Sequence, residues 1–474
     1  MSNKEYPRRL TRRDFVKMGA GMLGAVAGAA AVRRSILEPE TVGATTGRTL
    51  AGSAKTSTQQ QAAGPADLHF VATDGWIYLP AGAAVPPFHP DEMGPDPFNC
   101  YIFSFRDVTS YSDNSQLVYD QKMKAQQPAP LFSFEQEEEY TLKLTNVGLQ
   151  IRPDLIDAHT LHFHGFRNAI PIFDGEPHSS VGVPIARALT YYYHPQDPGT
   201  YMYHCHFEET EHVHMGMVGP CYVTPLQNYG MVEPGGPTVV TPARLAGNTD
   251  PGAPRGYVFN DGDESTAYDR EFVMFLSEVW AEAHWCDSHI QLPEWSDYAP
   301  EFYLLNGRVY PDTLEPNGLG TDPATGDLIA PPGRPDLKYQ PMSSLMRVNA
   351  GDRVLMRIIN LGYEQHAVRL DAAKMKVVGK DATHLRGRNG ADLTYLTSTV
   401  AIGAGESVDA IFTAPPYQPA YDAGGGYNRY LFFNRNYRHL SNGGHTGYGG
   451  QMTEVHVYPE NYLPEQTAPN GWAT

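Results

Sequence analysis

The sequence predicts an all-β fold of two sandwich or barrel units. Three observations carry this. Gly (46) and Pro (39) make up about 18% of the 474 residues, which suits many short strands joined by turns. From residue 66 onward, short apolar alternations such as Tyr140–Asn146 and Ser344–Val348 dominate, and helical periods are few. Turn clusters separate these alternations at the spacing of antiparallel sheets. With 41% hydrophobic and 11% aromatic residues, the chain can bury a real core, which excludes whole-chain disorder.

Read in order, residues 1–46 form a targeting segment. A basic stretch containing Thr11, Arg12, Arg13, Asp14 and Phe15 precedes a weakly apolar Gly/Ala-rich run from Met18 to Val32. That run is too short and small-sided for a comfortable membrane span. The twin arginine resembles a Tat export signal, so the expected location is the periplasm or the extracellular space. Removing residues 1–46 takes away eight Lys/Arg and four Asp/Glu, so a net charge of −18 becomes about −22. Residues 47–65 read as a solvated linker. The first β unit is expected over 66–228, a Pro/Gly-rich linker over 229–255, the second unit over 256–460, and a tail over 461–474.

Composition also excludes function classes. A strongly acidic chain argues against nucleic-acid binding. No apolar run near 18 residues exists beyond the N-terminus, so no stable membrane span is expected after processing. Four cysteines cannot build a disulfide scaffold. Besides Cys205, the chain has Cys100, Cys221 and Cys286; two of them can pair, or all can be core thiols.

The two units align internally. The strand Leu142–Asn146, a turn and His159-x-x-His162-x-His164-Gly165 match Val354–Asn360, a turn and His366-x-x-Arg369-x-Asp371-Ala372. Tyr201–His206 matches Tyr430–Arg435. His159 keeps a counterpart in His366, whereas His162, His164, His204, Cys205 and His206 become Arg369, Asp371, Phe433, Asn434 and Arg435. Metal chemistry is therefore expected in the first unit.

Strand alternation explains how one pair of segments can serve two sites. His162, His164, His204 and His206 can share one face, while His159 and Cys205 point to the other. His212, His214, Met215 and Met217 follow in a segment read as a loop that can close over Cys205. Two imidazoles, a thiolate and a weak thioether make a blue-copper set, and the four histidines can hold a second copper centre. Zinc is the alternative metal, and it suits this donor set less well. Ten further histidines, from His69 to His456, have no spacing that assigns them.

These motifs resemble those of the multicopper oxidases, whose units are cupredoxin-like Greek-key domains. The first resembles the HPxHLHG stretch of laccases and the second their HCH…H…M stretch. The phrases Pro198–His204, Leu305–Pro311 and Gly351–Asn360 agree as well. The resemblance implies that His159, Cys205 and His212 hold a type 1 copper with Met217 axial. His214 competes with His212, because His212 lies seven residues after Cys205 rather than the usual five. It implies that His162, His164, His204 and His206 belong to an oxygen-reducing centre of type 2 and type 3 coppers. A full centre of that kind takes eight histidines, and four matching second-unit positions lack them. The layout also resembles copper nitrite reductases, which are trimers, so a homotrimer is one implied assembly.

Three functions follow as expectations. The first is an exported copper oxidase taking electrons from a small molecule or metal ion and giving them to dioxygen. The second is a nitrite-reductase-like enzyme. The third is a blue-copper electron carrier without catalysis. Glu208, Glu209 and Glu211 read as a solvated acidic loop, or as a lure for a cationic donor. Asp174 and Glu176 read as proton relays, with a turn role for Asp174–Gly175 equally open.

Overall fold

Alternating apolar positions build eight strands in the first half: β1 (Leu68–Ile77), β2 (Cys100–Asp107), β3 (Phe132–Glu135), β4 (Tyr140–Asn146), β5 (His162–Phe163), β6 (Arg187–Tyr193), β7 (Gly199–His204) and β8 (Val218–Thr224). The computed structural model describes residues 67–80, 94–111, 113, 115–167, 170–230 and 241–471. The expected export signal with Arg12 and Arg13, the 47–65 linker and residues 231–240 of the second linker lie outside the described residues.

One sheet runs β2-β1-β4-β6 and the other β3-β8-β7-β5, with β1–β4 and β3–β8 parallel and the other pairs antiparallel. Between them lies an aromatic core: Phe70, Phe103 and Tyr191 from the first sheet meet Phe132, Phe163 and Tyr203 from the second.

The second half repeats this plan with β9 (Gly256–Tyr257), β10 (Ala267–Tyr268), β11 (Arg270–Val279), β12 (Phe302–Leu305), β13 (Met346–Asn349), β14 (Arg353–Asn360), β15 (His366–Leu370), β16 (Met375–Lys380), β17 (Thr383–His384), β18 (Tyr395–Thr397), β19 (Thr399–Ile402), β20 (Glu406–Thr413), β21 (Asn428–Asn434) and β22 (Met452–Tyr458). Its sheets run β12-β11-β14-β20-β16-β17, with β18 on β16, and β13-β22-β21-β15-β19. The parallel pairs recur at β11–β14 and β13–β22. The core here is aliphatic, with Met274, Ile358 and Ala410 facing Val348, Val368 and Val455. Each half is a cupredoxin-like β-sandwich, as the sequence predicts.

Both faces of several strands are buried, because the halves pack on each other. Cys100 and Ile102 of β2 turn from the first core towards Val279, Phe302 and Leu304. Met202 and Val218 meet Val273, Phe275 and Ile359. A polar column crosses the same contact. Arg357, fully buried, pairs with Glu271 at 3.1 Å and Asp409 at 3.5 Å. It also donates to Thr200 of the first half at 3.0 Å and stacks over Tyr222, 4.2 Å from its ring centre. The described residues accordingly make one compact unit.

The described part of the tail is tied down, for a backbone reason. β12 pairs β11 only over Leu276–Val279, so earlier β11 amides need other acceptors. Glu271 N–H donates to Gln466 Oε1 and Val273 N–H to Asn470 Oδ1, both at 2.8 Å. Three short α-helices stand among the described residues: α1 (Leu117–Gln121), α2 (Glu209–Met215) and α3 (Ala281–Ser288). Among them, no helix is long and apolar enough to cross a membrane.

Candidate metal centre

β5 and β7 pair with His162 opposite His204, and the pairing continues as His164 N–H donates to Met202 O at 3.1 Å. β5 itself is only two residues long, and His159 sits outside it on an isolated bridge to Val183. The expected division of faces holds. Cys205 enters the first core, whereas His162, His164, His204 and His206 gather on the other side with ring centres 4.8 to 5.6 Å apart.

On the core side, Cys205 Sγ lies 3.3 Å from His212 Nδ1 and 3.7 Å from His159 Nδ1. All three side chains are buried. Thr160 N–H points at the sulfur from 3.5 Å. Met217 is bound in by its backbone: its carbonyl accepts from Cys205 N–H at 3.1 Å and its N–H donates to His212 O at 2.9 Å. Its side chain is buried in the same core as Cys205. Burial disfavours a charged His212, yet the Cys205 thiolate and the Asp157 carboxylate outweigh it and raise its pKa to about 10. Asp157 Oδ2 stands 3.6 Å from His212 Nε2, beyond a hydrogen bond but within ion-pair range.

The segment read as a loop is largely helix α2, and this separates His212 from His214. Residues two apart on a helix are turned by roughly 200°, so they face opposite ways. His212 faces Cys205. His214 faces the second half, where its Nε2 accepts from Trp280 N–H at 3.2 Å and its ring meets His284 at 4.9 Å.

The four-histidine side uses the opposite ring nitrogens. His162 Nδ1 donates to Asp174 O at 2.8 Å, His204 Nδ1 to Cys205 O at 2.8 Å, and His164 Nδ1 to Gly405 O at 3.2 Å. A carbonyl brings no proton, so each ring carries its hydrogen on Nδ1 and leaves a lone pair on Nε2. His164 Nε2 and His204 Nε2 face each other at 2.9 Å. Two lone pairs so close repel unless a cation lies between them. Burial holds both rings' pKa values down, so a metal ion fits better than a proton. The donor set of three imidazoles suits copper.

The second half contributes to this side through residues the sequence reading missed. A cavity of about 320 Å³ opens beside the cluster, lined by His162 and His164 together with Asp381, Gly405 and Ser407. Gly405 has φ +75°, and a Cβ there would stand 3.1 Å from the His164 ring, so glycine lets its carbonyl reach His164. No sequence spacing announces a backbone carbonyl. Among the described residues, no histidine of the second half joins the cluster.

The acidic segment is more than a solvated loop. Glu209 Oε2 meets His206 Nδ1 at 3.0 Å, and Glu211 faces the buried Asp287 of α3. Asp174 anchors His162, and Gly175 at φ +81° makes the turn after it. Glu176 instead pairs with the exposed His178. Cys100, Cys205, Cys221 and Cys286 are all buried thiols, and none forms a disulfide.

Comparison with known proteins gives a consistent answer. Residues 103–227 match one family model described as multicopper oxidase, and residues 271–443 match a second with the same description. No curated protein gives a significant match. A solved blue copper oxidase from Nitrosomonas europaea is similar at 19% identity and a TM-score of 0.49, covering 82% of this chain and 85% of that one. The multicopper oxidase mgLAC matches at 18% and 0.49, over 84% and 87%. A copper nitrite reductase from Nitrosomonas europaea matches at 14% and 0.45, over 82% and 92%. The two family matches span well over half of the sequence, and the chain belongs to the multicopper oxidase family: it is an oxidoreductase whose cofactor is copper.

Proposed function

We propose that the chain passes single electrons from a reductant, through a type 1 copper at His159, Cys205, His212 and Met217, to copper at His162, His164, His204 and His206, where dioxygen is reduced. The observation that carries this is covalent. Cys205 is bonded in the chain to His204 and His206, with its sulfur in one site and their imidazoles in the other. Copper at these positions supplies one-electron redox chemistry. The chain's own residues hold the geometry and the protons. Buried packing fixes Cys205, and three carbonyls and one carboxylate orient the four imidazoles. Asp174 and Asp381 place carboxylates beside His162 and the cavity, where protons are consumed.

A nitrite-reductase-like reaction is the second reading. It is favoured because, among the described residues, no second-half histidine joins the cluster, and four imidazoles fall short of a full oxygen-reducing set. Oxygen uptake with a phenolic donor, run beside nitrite consumption with the same donor, decides between them. Uptake without nitrite loss supports the oxidase, the converse supports the second reading, and neither supports a carrier.

Two further parts of the proposal concern setting. The Arg12–Arg13 segment sends the folded chain out by the Tat route, which changing both arginines to lysine should block. A homotrimer sets a neighbouring copy over the open cavity, which light scattering on the purified chain tests.

A further inference from the structure

The second half carries the same backbone frame as the copper side of the first, residue by residue. Arg369 pairs Phe433 as His162 pairs His204. Asp371 N–H donates to Leu431 O as His164 N–H donates to Met202 O. Asn434 N–H donates to Gln451 O at 3.0 Å, as Cys205 does to Met217. Gln451 N–H donates to His439 O at 2.9 Å, as Met217 does to His212. His366, Asn434, His439 and Gln451 therefore stand at the positions of His159, Cys205, His212 and Met217. Glu364 precedes His366 by two residues, as Asp157 precedes His159.

The side chains at this second position are all buried, and their polar atoms converge. His439 Nε2 lies 2.9 Å from Glu364 Oε2, and His366 Nε2 lies 3.4 Å from Glu278 Oε2. Glu278 places the His366 hydrogen on Nε2 and leaves a lone pair on Nδ1. At His439 Nε2 the Glu364 carboxylate competes with the Asn436 amide, whose Nδ2 also lies 2.9 Å away, and the hydrogen taken by Glu364 leaves the Nδ1 lone pair free. The two Nδ1 atoms face each other at 3.2 Å. Gln451 Oε1 is the third acceptor, and its own Nε2 is spent on Ser277 O and Leu304 O, each at 3.2 Å. The Asn434 amide points its Nδ2 into this group, 3.1 Å from His366 Nδ1 and 2.7 Å from Gln451 Oε1. With the His439 hydrogen on Nε2 towards Glu364, three acceptors surround one point, served by the Asn434 amide, with two carboxylates behind the imidazoles to balance a cation.

We propose that His366 Nδ1, His439 Nδ1 and Gln451 Oε1 form a further mononuclear metal site that takes a divalent first-row transition ion. It goes beyond the electron route proposed above and does not depend on it. Imidazole with a neutral amide oxygen suits copper or zinc, and Cu²⁺ binds such donors most tightly of the series. With asparagine in place of the cysteine the site has no thiolate, so its copper is not blue. The ion takes the place of the hydrogen bonds that the Asn434 amide makes to His366 Nδ1 and Gln451 Oε1. Asn434→Asp replaces that amide with a carboxylate oxygen and should tighten Cu²⁺ binding roughly 10-fold or more.

The full-length chain is loaded with Cu²⁺ and cleared of excess, beside the variant His439→Ala. The variant should hold one copper fewer per chain while the first half's blue Cu–thiolate band is unchanged. That band reports that the variant has folded and that the first half is loaded. Equal copper in both proteins, with the band intact, overturns the proposal and leaves a hydrogen-bonded imidazole pair only. A copper-edge anomalous map of the loaded wild-type chain decides independently of any variant. A peak about 2 Å from both Nδ1 atoms supports the site, and an empty map there overturns it.

Discussion

The two halves share strand order, parallel pairs and even the hydrogen bonds around the ligand positions, yet differ in what those positions hold. In the first half, Cys205, His162, His164, His204 and His206 line the two faces of one strand pair. In the second, Asn434, Arg369, Asp371, Phe433 and Arg435 stand there instead. The frame survives because alternating apolar residues and backbone pairing fix it. The chemistry does not, because a few side chains decide it. The cores diverge in the same way, aromatic in one half and aliphatic in the other, without reordering the strands the halves share.

The largest break in this asymmetry comes from the first half's own ligands. His164→Ala removes one side of the 2.9 Å imidazole contact. Turnover should fall by orders of magnitude while the blue band stays, since His164 lies away from Cys205. Retained turnover, or loss of the band, would contradict the separation into two sites. Next is the column joining the halves. Arg357→Ala leaves Glu271 and Asp409 buried without their partner, and should cost about 3–5 kcal/mol in denaturant unfolding. A loss below about 1 kcal/mol would mean that the apolar contacts alone hold the halves together.

The sequence makes much of this legible because its signals are local. Strand alternation, the turn residues and the His-x-x-His-x-His and His-Cys-His spacings are each contained in a few residues. Choosing between His212 and His214 needs the helical form of Glu209–Met215, which seven mostly polar residues do not announce. The Gly405 carbonyl and Asp381 reach the cluster from more than 170 residues away, so no spacing encodes them. The His366–His439 pair is half legible. His366 appears in the repeat, but twelve residues separate His439 from Gln451 where five separate His212 from Met217, and that insertion hides the match.

Smaller effects sharpen the picture. Gly405→Ala forces a side chain into a left-handed backbone and against His164, at roughly 1–3 kcal/mol. Metal analysis should show copper lost from the histidine cluster before any blue copper is lost; the reverse order would disconnect Gly405 from that site. Asp409 gives a pH test. Burial raises its pKa despite Arg357. The folded chain therefore holds a proton that the unfolded chain releases, and this contribution to stability declines as pH rises from about 4 through the raised value. Asp409→Asn should flatten that slope in unfolding measured from pH 4 to pH 8. An unchanged slope would place the titration elsewhere.

The central claim is that Cys205 links two copper sites in one half. Optical and electron paramagnetic resonance spectra of the copper-loaded chain and of Cys205→Ser test it most directly. The account predicts a blue Cu–thiolate band in the wild-type chain, and in the variant no such band but a retained non-blue copper signal from the histidine cluster. A blue band that survives in Cys205→Ser would contradict it.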